Sequence, residues 1–237
     1  MYSSEIPDDI RRRVEYRRGG SIATMTRMDL SRTALLVVDV QNYFWMKDLP
    51  VLYTPEMEDI VDNTNTLVDI SRDLGVPIYW VQHSFTQGWK SWYQKTTKGE
   101  VAEVMIQHTA PGSFGFDVHE SMHVRPHDIR VPKTRYSTML PNSSDIDAQL
   151  RARGIETLII TGGLTNCCCE CTARDAMMMD YDVVFVSDAN ATRSEAQHLA
   201  TLVSMVQLFA DVRDTNALID MMKRSSEPKF AAAEASS

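Results

Sequence analysis

Apolar residues recur along this chain in two rhythms. Short runs in which nearly every position is apolar or β-branched alternate with longer stretches in which apolar residues return every three or four positions. The first run, Thr33-Ala34-Leu35-Leu36-Val37-Val38, has the length of a strand buried on both faces and ends at Asp39. Residues 57–74 then carry Ile60, Val61, Leu67, Ile70 and Leu74 at helical spacing, and Gly75 and Pro77 stop them. Runs at 78–81, 129–131, 157–161, 183–186 and 211–213 predict five further strands. Helical stretches are predicted at 144–153, with Ser144 as cap and Gly154 as stop, and at 168–181, 194–209 and 216–222.

Doubly buried strands separated by helices describe a single three-layer α/β domain with a six-stranded parallel sheet and right-handed crossovers. The pattern divides the chain into an N-terminal arm (1–30), the domain (31–224) and a small, polar tail (225–237) expected to be disordered. In such sheets ligands gather at the carboxyl ends of the strands. That rule singles out Asp39, His83, Lys133 and the turn 162–168, each following a predicted strand. The long connection 85–128 carries Trp89, Trp92 and Tyr93, which suit a lid, a contact between copies, or packing under a loop.

Composition narrows the classes. In 237 residues, 24 Lys and Arg stand against 32 Asp and Glu, a net charge of -8, which argues against nucleic acid or an anionic membrane as partner. No window approaches twenty apolar residues and the first residues hold no apolar core, so neither a membrane span nor a secretory signal is expected, and a cytoplasmic location is. The four cysteines, Cys167, Cys168, Cys169 and Cys171, fall within five positions, which leaves no long-range disulfide and disfavours an oxidising compartment. The sequons at Asn142 and Asn190 are then chance.

The richest segment is Thr161-Gly162-Gly163-Leu164-Thr165-Asn166-Cys167-Cys168, a buried strand passing through a glycine turn into a helix. Unpaired N–H groups and the positive dipole end at a helix start favour thiolate over thiol, and the same N–H groups suit an oxyanion. The alternative is an inert, packed cysteine. Asp39 as proton acceptor, Lys133 as counter-charge and a cysteine nucleophile make one coherent set; a plain Asp–Lys ion pair at a strand end is the other reading.

Three blocks in order, Ala34-Leu-Leu-Val-Val-Asp39-Val-Gln41-Asn42, Val131-Pro-Lys133-Thr-Arg-Tyr-Ser137 and Thr161-Gly-Gly-Leu-Thr-Asn-Cys-Cys168, resemble the isochorismatase-like cysteine hydrolase superfamily. The likeness covers about residues 30–222, and Lys133-x-Arg-Tyr-Ser137 with Thr165-Asn-x-Cys168-x-Glu170-x-Thr172-x-Arg174-Asp175 is most similar to the ureidoacrylate amidohydrolase and biuret hydrolase type. The resemblance implies a triad of Asp39, Lys133 and Cys168, the last identified by its place three residues after Thr165. It implies an oxyanion hole from the N–H groups of Leu164 and Cys168, with a cis peptide before Leu164. Cys167 and Cys169 then fall where the family tolerates varied side chains, and Cys171 is read as core. The implied activity is hydrolysis of a small ureido or carbamoyl amide through a thioester, with no metal or other cofactor, in a homo-oligomer, a dimer or tetramer. Substrate-lining residues are expected at Gln41, Asn42, Tyr43, Phe44, His83, Phe85, Tyr136 and Ser137. The ureidoacrylate pattern carries Asn and Trp where this chain has His83 and Phe85, which leaves biuret-like, nicotinamide-like and N-carbamoyl amino acid substrates open. His83 suits either a donor to substrate or a strand-end cap. A non-catalytic binding member of the same fold is the rival from another class, and isochorismate cleavage is weaker because it does not use the cysteine.

Two metal patterns fail on inspection. His119-Glu120-Ser121-Met122-His123 matches a zinc-protease motif, but Gly112, Gly115 and Pro126 confine it to a short surface helix at most. The Asp-x-His…His set of metal-dependent nicotinamidases is missing after the second strand, where the chain reads His83-Ser84-Phe85-Thr86-Gln87.

Overall fold

Every residue of strand β1 (Thr33–Val38) is buried, because it lies inside a six-stranded parallel sheet. The other strands are β2 (Ile78–His83), β3 (Ile129–Lys133), β4 (Thr157–Gly163), β5 (Asp182–Ala191) and β6 (Asp211–Arg213), in the order β3-β2-β1-β4-β5-β6. The structure is a computed structural model that describes residues 6–85 and 95–227. Trp89, Trp92, Tyr93 and the residues after 227 lie outside the described residues.

The alternation of side chains along β1 builds two cores. Leu35 and Val37 face a cluster with Leu67 and Val68 of helix α2 (Val61–Asp73), Met105 of α3 (Gly99–His108) and Leu218, Met221 and Met222 of the C-terminal helix. Ala34, Leu36 and Val38 face the other layer. It holds Val14 of α1 (Asp8–Arg17), Leu150 of α4 (Ile146–Ala152), Ala173 and Ala176 of α5 (Glu170–Met178) and Leu202 of α6 (Glu195–Ser204). The last helix is α7 (Thr215–Ser226). Two buried faces on one strand are why its sequence is a continuous apolar run and not an alternating one.

Several boundaries differ from the pattern, each for a local reason. The stretch beginning at 57 enters its helix through a 3-10 turn, Pro55–Ile60, where the missing N–H of Pro55 costs nothing. Residues 165–169 and 205–209 form wider π-type turns flanking α5 and α6. Strand β5 runs five residues past the apolar run. Its register against β4 shifts between Ile160 and Gly162, and there Asn190 Nδ2 donates to the carbonyls of Ile160 (3.0 Å) and Val186 (2.6 Å). A side-chain amide thus takes the place of lost ladder bonds. Helix α4 starts at Ile146 with Asp145 in the N-cap position, so the expected cap Ser144 stands one residue too early, its Oγ accepting the Ile146 N–H at 3.2 Å in the turn before the helix. The expected tail begins too early, since Ser225 and Ser226 belong to α7, and Ser225 Oγ donates to Met221 O and accepts the N–H of Met28. No helix among the described residues is long and apolar enough to cross a membrane.

One glycine fixes how closely β1 and β4 approach. Gly162 has φ +120°, and a Cβ there would lie 2.0 Å from Val38 O. Gly162→Ala should therefore cost about 2 kcal/mol or more in a urea titration, whereas Gly154→Ala, at φ +66° with open space around it, should cost about 1 kcal/mol. Equal midpoints for the two variants would overturn the close packing assigned to this seam.

Candidate active site

Register alone brings the charged strand ends together. Val38 lies opposite Val81 of β2 and Gly162 of β4, and His83 lies opposite Lys133. Asp39 follows β1 directly, in the left-handed region at φ 53°, with its N–H donating to Val81 O at 2.9 Å. Strands β1 to β3 build outward on one side and β4 to β6 on the other. The crossovers diverge at the β1/β4 seam and leave a crevice at its carboxyl end.

The Lys133 ammonium sits at the centre, fully buried. Its Nζ lies 2.9 Å from Asp39 Oδ2, 3.0 Å from His83 Nδ1, 3.1 Å from Arg135 O and 3.3 Å from Cys168 Sγ. Burial opposes its charge, but Asp39 and Cys168 outweigh burial and hold the ammonium above the ordinary lysine range. Burial likewise raises the Asp39 carboxyl, against the pull of Lys133 and of a hydrogen bond with Cys168, so this carboxylate takes a proton more readily than most. Burial and the neighbouring ammonium push His83 well down, which keeps its imidazole neutral.

Cys168 corrects one expectation. Its contact with the Cys167 thiol, then burial, then the Asp39 carboxylate push it well up, and only Lys133 pulls the other way. The resting sulfur is a thiol and not the thiolate that a helix start suggests, because desolvation beside acidic neighbours outweighs the turn's dipole. Cys167 goes the opposite way, lowered by the hydrogen bond from Cys168.

The turn that carries this thiol is braced from both sides. The N–H groups of Cys167 and Cys169 both reach Leu164 O, at 3.0 and 3.3 Å, and the Gly163–Leu164 peptide is cis, as the resemblance implies. Thr165 Oγ1 lies 3.0 Å from His198 Nδ1, and Thr192 Oγ1 donates to Asn166 Oδ1 at 2.6 Å. Thr172 Oγ1 accepts the Thr138 N–H at 3.1 Å, tying the loop after Lys133 to the helix that follows the thiol. Glu170 accepts from Arg174 and from Thr201 Oγ1, both at 2.6 Å.

A cavity of about 140 Å³ opens onto Asp39 and Cys168. Of the expected lining, Tyr43, Phe44, His83, Phe85 and Tyr136 are on its wall, as is Leu164. Gln41, Asn42 and Ser137 are not, because their polar groups are spent on the scaffold. Gln41 Nε2 donates to His83 O and Phe116 O, and its Oε1 accepts the His83 N–H at 2.6 Å. Asn42 Nδ2 donates to Phe114 O, and Ser137 Oγ accepts the Met139 N–H. The wall also contains Val51, Leu52, Met105, Cys167 and Arg193, none expected there. Arg193 follows β5 by two residues and would have been reached by the strand-end rule had the sequence revealed how far β5 extends. Its guanidinium donates to Val51 O at 2.6 Å and Thr54 Oγ1 at 3.3 Å, which holds it exposed at the mouth.

Other features lie apart from this chemistry. Cys169 is core, and Cys171, read as core, is only half-buried and outside both clusters. A larger concavity of about 790 Å³, lined by Arg27, Leu74 and Glu227 among others, lies beside residues 29–31 and 74–75, which lead into β1 and β2, at the far end of those strands. Residues 119–123 form a turn and no surface helix. The His119 ring stacks on Trp45 with centroids 4.1 Å apart, and His123 Nδ1 pairs with Asp69 Oδ2 at 2.8 Å, so the two imidazoles serve different contacts.

Known proteins resemble this chain in sequence and fold. The isochorismatase domain matches residues 33–217. Nicotinamidase 3 of Arabidopsis thaliana is 32% identical over 187 residues, covering 78% of this chain and 86% of that protein. A cysteine hydrolase from Pseudomonas syringae pv. phaseolicola superposes with a TM-score of 0.75 at 26% identity, over 86% of this chain and 98% of the other. N-carbamoylsarcosine amidase from Thermoplasma acidophilum gives 0.63 at 25% identity, over 78% and 97%. With six parallel strands in place and the match spanning most of its length, the chain belongs to the isochorismatase domain family.

Proposed function

We propose that this chain is a cysteine amidohydrolase for a small carbamoyl or ureido amide that carries an anionic group. The observation that carries the reading is a buried thiol 3.3 Å from an ammonium that is itself 2.9 Å from a carboxylate, all beside a small cavity. The names nicotinamidase and N-carbamoylsarcosine amidase both denote amide cleavage, which supports the reaction class.

The chemistry follows from the charges. Asp39 takes the Cys168 proton as Sγ adds to the carbonyl carbon, and the carbonyl π pair moves onto oxygen. The oxyanion is met by the N–H groups of Leu164 and Cys168. Asp39 returns the proton to the departing nitrogen, the C–N bond breaks, and a thioester remains. A water then loses a proton to Asp39, adds to the thioester, and Cys168 leaves as a thiol. Lys133 stays charged throughout and balances whichever neighbour is anionic.

The finer likeness to ureidoacrylate amidohydrolases gains little from Ser137, Glu170, Thr172 and Arg174, which bond to the scaffold and not to the cavity. Arg193 says more about substrate. A guanidinium at the mouth of a wall that is aromatic and aliphatic away from Asp39, His83 and the two thiols suits a carboxylate by paired N–H donors. A neutral aromatic amide of the nicotinamide kind is the second reading, favoured by Tyr43, Phe44, Phe85 and Tyr136 on the wall.

Ammonia release over N-carbamoyl amino acids, ureido acids, biuret and nicotinamide tests both. Cys168→Ser should cut kcat at least about a thousandfold while Cys169→Ala stays within about tenfold, and equal losses would remove Cys168 from its role. Activity needs Asp39 unprotonated, and its carboxyl is raised, so kcat/KM should fall on acidification at a pH above the usual carboxylate range. Lys133 is what draws the Cys168 thiol down, so Lys133→Met should move iodoacetamide labelling of Cys168 to higher pH; an unmoved profile counts against the ion pair. Arg193→Ala should raise KM about tenfold or more for carboxylate-bearing substrates and leave neutral amides alone. A uniform change across both classes would defeat the anionic-substrate reading.

A further inference from the structure

Helix α6 holds the turn that carries Cys168 from both ends. His198 and Thr201 lie three residues apart on one face of it. His198 Nδ1 is 3.0 Å from Thr165 Oγ1, where the turn 165–169 begins, and Thr201 Oγ1 donates to Glu170 Oε2 at 2.6 Å, just past its end. Thr192, shortly before the helix, adds the 2.6 Å bond to Asn166. Only the first of these three bonds is wholly out of water, with His198 1% and Thr165 0% exposed. We infer that His198 is a positioning residue for the proposed hydrolysis, setting through Thr165 where the Cys168 sulfur stands beside Lys133; this rests on the hydrolase reading.

An apolar side chain would fill this place at a lower desolvation cost, so packing alone does not account for an imidazole. What the ring adds is direction. The His198 backbone is fixed in the first turn of α6, its N–H donating to Ser194 O at 3.1 Å. Burial lowers His198, against the Ser187 backbone and the Glu195 carboxylate, and keeps the ring neutral. One nitrogen of a neutral ring donates and the other accepts, so Nδ1 and a rotatable hydroxyl make one bond in either tautomer. That bond has no water to exchange with, and breaking it leaves both buried groups unmet.

The turn needs such a restraint. It is of the wider π type, and the N–H groups of Cys167 and Cys169 converge on one carbonyl, that of Leu164. The sulfur lies 3.3 Å from Lys133 Nζ, the ammonium that draws the thiol down. A retreat of about 1 Å weakens that Coulomb attraction by about a quarter at fixed dielectric. A misplacement of about that size in a reacting atom can cost about a hundredfold in rate. The substrate end is anchored apart from this bond, since Arg193 is fixed by Val51 O and Thr54 Oγ1. Loss of the His198 bond therefore falls on kcat and spares KM.

Two variants set the bond against packing. His198→Asn shortens the side chain but keeps a polar atom near the place of Nδ1, whereas His198→Leu fills the space and bonds to nothing. We expect His198→Leu to lower kcat about tenfold or more with KM within about threefold, and His198→Asn to keep kcat within about threefold of the parent. Iodoacetamide labelling of Cys168 at neutral pH, read on its peptide by mass spectrometry, should follow the same order without any turnover. Thr165→Val removes the hydroxyl from the other side and should match His198→Leu, and the double variant should lose no more than either single one. His198→Leu at or above His198→Asn in either readout, a KM that rises as kcat falls, or additive losses in the double variant would each overturn the assignment. If none of the amides releases ammonia the hydrolase reading falls, while the labelling order still decides whether His198 places the sulfur.

Discussion

A lysine ammonium with no exposed surface has to be neutralised from inside the protein, and the architecture around Lys133 does this from four directions. The end of β1 supplies a carboxylate, the end of β2 an imidazole, the loop after β3 a carbonyl and the turn after β4 a sulfur. Deleting one partner of such a buried pair costs about 3–5 kcal/mol, because the other charge is left unmet. An apolar replacement of the whole cluster would cost the fold far less. A stability argument therefore does not account for the cluster, and a chemical one does.

That chemistry conserves charge where charge is hardest to move. At rest the three groups are a carboxylate, an ammonium and a thiol, and they sum to zero. When Sγ attacks, the proton passes to Asp39 and the negative charge passes to the substrate oxygen, so the sum is still zero. No charge enters or leaves the buried region, and fixed N–H groups are not asked to reorganise. A carboxyl held high by burial is a stronger base for that transfer, while burial also raises the thiol, so Lys133 beside the sulfur is the group that draws donor toward acceptor.

The parts of this arrangement that follow from periodicity were legible in the sequence. A doubly buried strand is a run of apolar residues, and a charge that ends such a run must be solvated or paired, which located Asp39, His83 and Lys133. What lay beyond reach depends on three-dimensional desolvation or on strands built from poor strand formers. Cys168 reads as a helix-start thiolate until its burial and its contact with Cys167 are known. Gln41, Asn42 and Ser137 read as pocket residues by proximity to motif positions, yet each one's polar group is consumed by a backbone partner. Arg193 was hidden because Asp188 and Asn190 break the strand pattern, while in the fold Asn190 stitches the β4/β5 irregularity that carries β5 onward.

The same irregularity explains why recognition charge sits at the mouth and not deeper. Beyond the shift, β5 continues past the level at which the apolar core ends, so a residue two positions on emerges beside the 3-10 turn that precedes α2 and is held there by Val51 O and Thr54 Oγ1. A second cation deep in the cavity would compete with Lys133 for Asp39 and lower the proton affinity on which the base depends. Placed at the exposed rim, Arg193 attracts an anionic tail while high-dielectric water attenuates its field at the carboxylate. Substrate charge and reaction charge are thus handled at two depths of one cleft, and the separation is set by how far a single strand extends.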